Sequence, residues 1–143
     1  MQNYEQDLER FLVAQAHIYP YALSEIKNGH KRSHWIWFIF PQIQGLGYSV
    51  KAQYYAIKNI EEAKAYLTHP ILSKRLIEIS NALLAVPTND VREVMGYPDD
   101  LKLKSCMTLF SIVSVNPIFQ QVLDKFFNGE MDEQTILIIN GFQ

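Results

Sequence analysis

The sequence predicts an all-α fold: one domain over residues 1–143, of about six or seven helices packed around a buried apolar helix. Three observations carry this. Apolar residues recur at spacings of three, four and seven through most of the chain, the mark of helices with one buried face. Prolines and glycines stand at the joints of these periodic stretches rather than inside them. One aromatic and aliphatic run, Trp35 to Phe40, is unbroken, holds both tryptophans, and has no polar face to give to water. Each such side chain is worth roughly 1.5–3 kcal/mol when fully buried, so this run belongs at the centre.

Taken in order, residues 4–18 place Tyr4, Leu8, Phe11, Leu12 and Ile18 on one helical face, with Asn3 and Gln6 as a capping pair. Pro20 suits the first turn of a second helix with Ala22, Leu23 and Ile26 inward, and Gly29 offers its left-handed stop. Ser33 is a plausible cap for the central run. Trp35 and Trp37 sit about 200° apart on a helix, so they cannot face one ligand together. A two-stranded ribbon is the alternative for Trp35–Phe40 and for Ile136–Ile139, whose composition is strand-like.

Ser49 caps a helix to about Lys58 with Val50, Tyr54 and Ile57 on one face. Asn59 and Glu62 form a capping box for the next, with Ile60, Ala63, Tyr66 and Leu67 in register. His69-Pro70 breaks that helix and starts another over 70–85, read from Leu72, Leu76, Ile79 and Leu83. A short turn at Val91–Met95 closes at Gly96. Asp99-Asp100 then caps a long helix through Leu103, Met107 and Phe110, and Asn116-Pro117 restarts one through Phe119, Val122, Leu123 and Phe126. Asp132 caps a last helix to Ile139.

Composition narrows the function. A net charge of -2 gives no basic field for nucleic acid, so none is expected as a partner. Lys27, Lys31 and Arg32 bracket a turn and read as a solvated group. No apolar run approaches the ~20 residues of a membrane span, so no membrane is expected either. The single cysteine, Cys106, suits a reducing cytosol and reads as a buried, inert thiol. The acidic N-terminus is unlike a signal peptide, and the localisation expected is cytoplasmic. His17, His30, His34 and His69 lack metal-ligand spacing, so no metal and no cofactor are expected.

Two polar concentrations stand outside what packing requires. The first, Gln42 to Lys51, joins Gly45 and Gly47 to a serine cap at Ser49, leaving backbone N–H groups for an anion with Lys51 adding charge. A tight turn with a helix cap explains the same residues. The second starts at Asp99: Asp99 and Lys102 are one turn apart, with Ser105 following. A cap with a solvated ion pair is the plain account. His34, beside Trp35 and Trp37, is either a core-edge residue or a general acid/base.

The motifs His34-Trp35-Ile36-Trp37-Phe38-Ile39-Phe40-Pro41-Gln42, Gly45-Leu46-Gly47-x-Ser49, Tyr66-Leu67-x-His69-Pro70 with Arg75-Leu76, and Gly96-x-x-Asp99-x-x-Lys102-Leu103-x-Ser105 resemble the bacterial domain of unknown function numbered 1810. The resemblance implies an all-helical fold with one helix surrounded by others. A calpastatin label sometimes attached to the family has no weight here, since that inhibitor is a long disordered repeat protein. The resemblance also implies a distant fold relation to all-helical proteins of NAD and ADP-ribose metabolism.

The functional expectation is a cleft between the Gln42–Ser49 turn and the helix start at Asp99. It would take a planar, anionic, nucleotide- or ADP-ribose-like ligand. Trp35 or Trp37 stacks on the planar group, and Gln42, Gly45, Gly47, Ser49, Lys51, Lys102 and Ser105 bind it. If glycoside hydrolysis follows, Asp99 or Glu25 is the acid/base and His34 assists. The alternative is a non-catalytic interaction or ligand-binding module. The chain would be a monomer or a homodimer, its aromatic share of 13% suiting an interface.

Overall fold

The computed structural model describes residues 4–141, with side chains from Asp7 onward, so the Asn3–Gln6 cap and the Tyr4 side chain lie outside it. Among the described residues there are ten helices and no strand: α1 (Tyr4–Gln15), α2 (Tyr19–Lys27), α3 (Ile36–Ile39), α4 (Val50–Tyr54), α5 (Ile60–Thr68), α6 (Pro70–Ala85), α7 (Val91–Met95), α8 (Asp99–Val113), α9 (Ile118–Phe127) and α10 (Glu133–Ile139). The all-α class is as expected. The helix count exceeds the expected six or seven because the short pieces at Ile36–Ile39, Val50–Tyr54 and Val91–Met95 stand as separate helices.

The expectation of a helix buried all round at Trp35–Phe40, with the others packed about it, holds in part: a helix is there, but it is short, Trp37 is only half-buried, and it is not the one that the others surround. That run forms one turn, α3, uncapped by any side chain, and Pro41 follows at once. The surrounded helix is α8. From Leu103 through Phe110 only Lys104 keeps partial exposure, and α3, α5, α7, α9 and α10 pack around it. Its hydroxyls need no outside help: Ser105 Oγ donates to the Leu101 carbonyl at 3.1 Å and Thr108 Oγ1 to that of Lys104 at 2.8 Å. Cys106 is fully buried, and burial pushes its thiol well up, so it is unreactive.

Local chemistry sets most joints. Asn59 Oδ1 accepts from Glu62 N at 2.9 Å, and Asp132 Oδ2 accepts from Thr135 N at 3.0 Å. His69 Nδ1 accepts from both Ile71 N and Leu72 N, so an imidazole caps α6 directly before Pro70. Gly29 and Gly96 take φ of +81° and +76° at helix ends, a region that favours glycine. Asp99 and Asp100 sit inside the first turn of α8 behind Pro98 rather than capping it, and Ser33 caps no helix. The expected helix to Lys58 stops at Tyr54: Val50 and Tyr54 are exposed, while Ile57 lies beyond it and is buried.

Ile57 instead makes a single parallel bridge to Ile43, donating to the Gln42 carbonyl and accepting from Gln44 N, each at 2.8 Å. That bridge anchors the 42–47 turn. Beside it, Arg10 reaches Glu62 through two contacts, at 3.0 and 3.3 Å, and also donates to the carbonyls of Tyr54 and Ala56. Glu62 is fully buried, so α1, α5 and the chain between α4 and α5 are held by one desolvated two-pronged pair.

Candidate functional site

The 42–47 turn faces the first half of α8 across a cavity of ≈ 310 Å³. Gln42, Gly47, Lys102 and Ser105 line it, together with Leu46, Pro98, Leu101, Asp132 and Gln134. Two polar concentrations that are far apart in sequence therefore share one hollow. Gly47 is there for space rather than dihedral freedom: a Cβ would lie 2.6 Å from that of Ala52 on α4. Ser49 Oγ accepts from Ala52 N at 3.1 Å and is spent on the α4 cap.

Trp37 is half-buried beside this cavity. The ammonium groups of Lys51 and Lys102 stand 4.9 and 5.4 Å from its ring centroid. Lys102 also lies 3.4 Å from Asp99 Oδ1, while Asp99 Oδ2 takes the ammonium of Lys31 at 2.7 Å. Asp99 is thus shared by two lysines, and Lys51 has no carboxylate partner among the described residues. Lys31, expected as a solvated charge, is 6% exposed at its side chain, lies 4.8 Å from the Trp35 ring and donates to the Ser33 carbonyl.

Trp35 and Trp37 do not share a face, although Trp35 precedes α3 and is not itself helical. Trp35 is fully buried, and its Nε1 donates to Glu25 Oε1 at 2.9 Å, so it is unavailable for stacking on a ligand. Glu25 also accepts from Arg32 N, Ser33 N and Ser33 Oγ at 2.7, 3.0 and 2.7 Å. Partial burial alone would raise its carboxyl, but the hydrogen bonds from Arg32, Ser33 and Trp35 outweigh this and hold it below the usual value. A carboxylate so occupied anchors the 32–35 loop and is a poor proton carrier.

His34 is exposed and makes no hydrogen bond among the described residues. It does not line the cavity. Gly45, at φ +105°, borders a different hollow with Ile43, Asn59 and Ile138. Asp132 and Gln134 were read only as helix-cap and helix residues, yet both line the cavity. Asp132 Oδ2 accepts from Thr135 Oγ1 at 2.6 Å and Ser105 Oγ at 3.3 Å. Its cap signature was legible; its position opposite Gln42 follows only from how α10 docks on α8. Among the described residues no group of three or more His, Cys, Asp or Glu is placed to hold a metal.

A model of the family described as Protein of unknown function (DUF1810) matches residues 5–139. The chain belongs to the DUF1810 family. It is similar to a conserved hypothetical protein, Rv1873, from Mycobacterium tuberculosis, known from a crystal structure. The two share 43% identity and a TM-score of 0.92, over 94% of this chain and 96% of that one. No curated protein matches the sequence. For DUF1810 these likenesses give fold and membership, and the chemistry must be argued from the cavity. No helix among the described residues is long and apolar enough to cross a membrane.

Proposed function

We propose that the cavity between the 42–47 turn and α8 binds a small polar molecule with an anionic group, of nucleotide or ADP-ribose-like type. The observation that carries this is the surplus of ammonium around Trp37. Lys51 and Lys102 both stand over its ring; Lys102 shares Asp99 with Lys31, Lys51 has no carboxylate partner among the described residues, and the hollow beside them has one carboxylate in its walls, Asp132, with an amide at Gln42 and a hydroxyl at Ser105. An anion would complete that charge balance, and the indole offers a flat face. At ≈ 310 Å³ the hollow is at the small end of ligand sites, which run from ~300 to 1,000 Å³, so it suits a ribose-phosphate or nucleoside portion. Any glycoside hydrolysis would draw its acid/base from Asp132, which lines the cavity and whose side-chain hydrogen bonds among the described residues all fall on Oδ2, leaving Oδ1, rather than from Asp99 or from Glu25, both of whose oxygens are occupied.

Fluorescence titration with ribose 5-phosphate, nucleotides, NAD and ADP-ribose tests the reading, because Trp37 is the half-buried indole and Trp35 the buried one. Binding should quench or shift the Trp37 emission, and Lys102→Ala should weaken it by roughly tenfold or more, the loss of one charged contact. A silent titration with every compound, confirmed by an unchanged melting temperature, would rule the reading out.

A second reading has its own observation. Tyr48, just before α4, and Val50 and Tyr54 on it are 86%, 85% and 58% exposed, which favours an interaction module; a homodimer follows only if this edge self-associates. Light scattering at high concentration decides it: a monomer throughout removes the homodimer.

A further inference from the structure

A second hollow, of ≈ 330 Å³, lies between α2 and the start of α6, away from the cavity at Lys102. Its walls are Tyr19, Pro70, Ile71, Lys74, Arg75 and Glu78. The sequence singled out Arg75 within a family motif, and the cleft beside Trp37 does not use it. The arrangement around it is specific. Gln15, only 1% exposed, turns its amide oxygen to Arg75 Nη1 at 3.2 Å. Its amide nitrogen donates to the Phe38 carbonyl at 2.7 Å and to Tyr66 Oη at 3.1 Å. The Gln15 side chain is therefore fixed at both ends, and it fixes the arginine.

On the other side, the Arg75 guanidinium lies 5.4 Å from the Tyr19 ring centroid. The Tyr19 hydroxyl is shared between the Arg75 carbonyl at 3.0 Å and Glu78 Oε1 at 2.5 Å. Burial and that carboxylate push the phenol far up, so Tyr19 stays a neutral donor. Arg75 is half-buried, yet among the described residues no carboxylate pairs with it. Of its five N–H donors one is used within the protein. A guanidinium held rigid by a buried amide and a ring, with its remaining donors unspent beside Lys74, is preorganised for a flat or tetrahedral oxyanion. Pro70, Ile71 and the Tyr19 ring add an apolar wall.

We propose that this hollow is a second binding site, which takes a small oxyanion on Arg75 with a short apolar group against Pro70 and Ile71. Carboxylates and phosphates share the recognised chemistry, and the apolar wall separates them. The test is an NMR titration of the ¹⁵N-labelled full chain with inorganic phosphate and, separately, with 4-methylpentanoate. The Arg75 Nε–H and Gln15 side-chain amide signals are followed. Both probes should move these signals; tighter binding of 4-methylpentanoate identifies a carboxylate ligand, and tighter binding of phosphate a phosphorylated one.

Arg75→Lys keeps the charge but loses the fork and should weaken the preferred probe by about tenfold. Ile71→Glu, at an exposed position, places a carboxylate one helical turn from Arg75 and should weaken it at least as much without disturbing the fold. Lys102→Ala should leave this titration unchanged, which separates the site from the cavity beside Trp37. Unmoved Arg75 and Gln15 signals with both probes, or equal binding by Ile71→Glu, would overturn the proposal.

Discussion

Lys31 and Asp99 meet at 2.7 Å, with the lysine side chain 6% and the aspartate side chain 20% exposed. The pair ties the loop before α3 to the first turn of α8, so it fixes one flank of the cavity as well as the fold. Lys31 N also donates to the Val94 carbonyl at 2.7 Å, which fastens the same loop to α7.

Removing one partner strands the other. Asp99→Ala leaves the Lys31 ammonium desolvated against Trp35, with Lys102 no longer neutralised. The expected loss is about 2–3 kcal/mol, below the 3–5 kcal/mol of a fully buried pair because Asp99 keeps some access to water. Lys102→Ala keeps the Lys31 contact and should cost under about 1 kcal/mol. Urea denaturation of both variants measures the contrast; equal losses would show that the short contact carries no special weight.

Glu25 makes stability depend on acid. Its folded carboxyl titrates below the unfolded value near 4.3, so its contribution is complete above that pH and is lost as pH falls through the folded value. Thermal melts from pH 7 down to 3 should show Glu25→Gln converging on the wild type at the acid end. Glu25→Ala at neutral pH leaves the buried Trp35 N–H without its acceptor and should cost about 1–3 kcal/mol. A constant gap between wild type and Glu25→Gln across that range would contradict this account.

Gly47 and Ala52 form a size-matched contact. Gly47→Ala drives two methyl groups to within 2.6 Å and should destabilise by about 1–3 kcal/mol while weakening ligand binding at the cavity. Ala52→Gly removes the opposing methyl. The double variant should recover most of the loss beyond the helix penalty of the new glycine, roughly 1 kcal/mol. Additive losses in the double-mutant cycle would mean that the two sites do not touch in the way described.

The cap at His69 calls for an acceptor rather than for an imidazole. His69→Asn should be nearly neutral, and His69→Ala should cost about 0.5–2 kcal/mol through the freed N–H groups of Ile71 and Leu72. Chemical denaturation of the pair measures it, and two equal midpoints would show the cap to be idle.

Helix starts and stops were the most legible part of the chain because they are local. Asn59, Asp132, Gly29 and Gly96 act within four residues of themselves, and α6 and α7 begin and end where Pro70, Pro87 and Gly96 require. The Trp35–Phe40 run misled over which helix is surrounded, because hydrophobicity shows that a segment is buried but not how many elements pack around it. Pro41 and the bridge from Ile43 to Ile57 ended it. The cap expected at Asp99 failed for a similar reason: Pro98 took the cap position, leaving the carboxylate to the ammonium of Lys31.

The candidate site divides along the same line. Spacing alone brought forward Gln42, Gly47, Lys102 and Ser105, since polar side chains and glycines placed where packing needs neither are visible in one dimension. That they line one cavity with Asp132 and Gln134 was decided by the packing of α3 and α10 against α8. Tertiary contacts also assigned Glu25 to anchoring a loop, buried Lys31, left His34 in solvent and locked Arg75 against Gln15. By itself the sequence determined the helical class, the family and most of the joints, all of which depend on neighbours within a few residues. The helix at the centre, and which charges face one another, depend on contacts between residues far apart in the chain, so only the tertiary structure decided them.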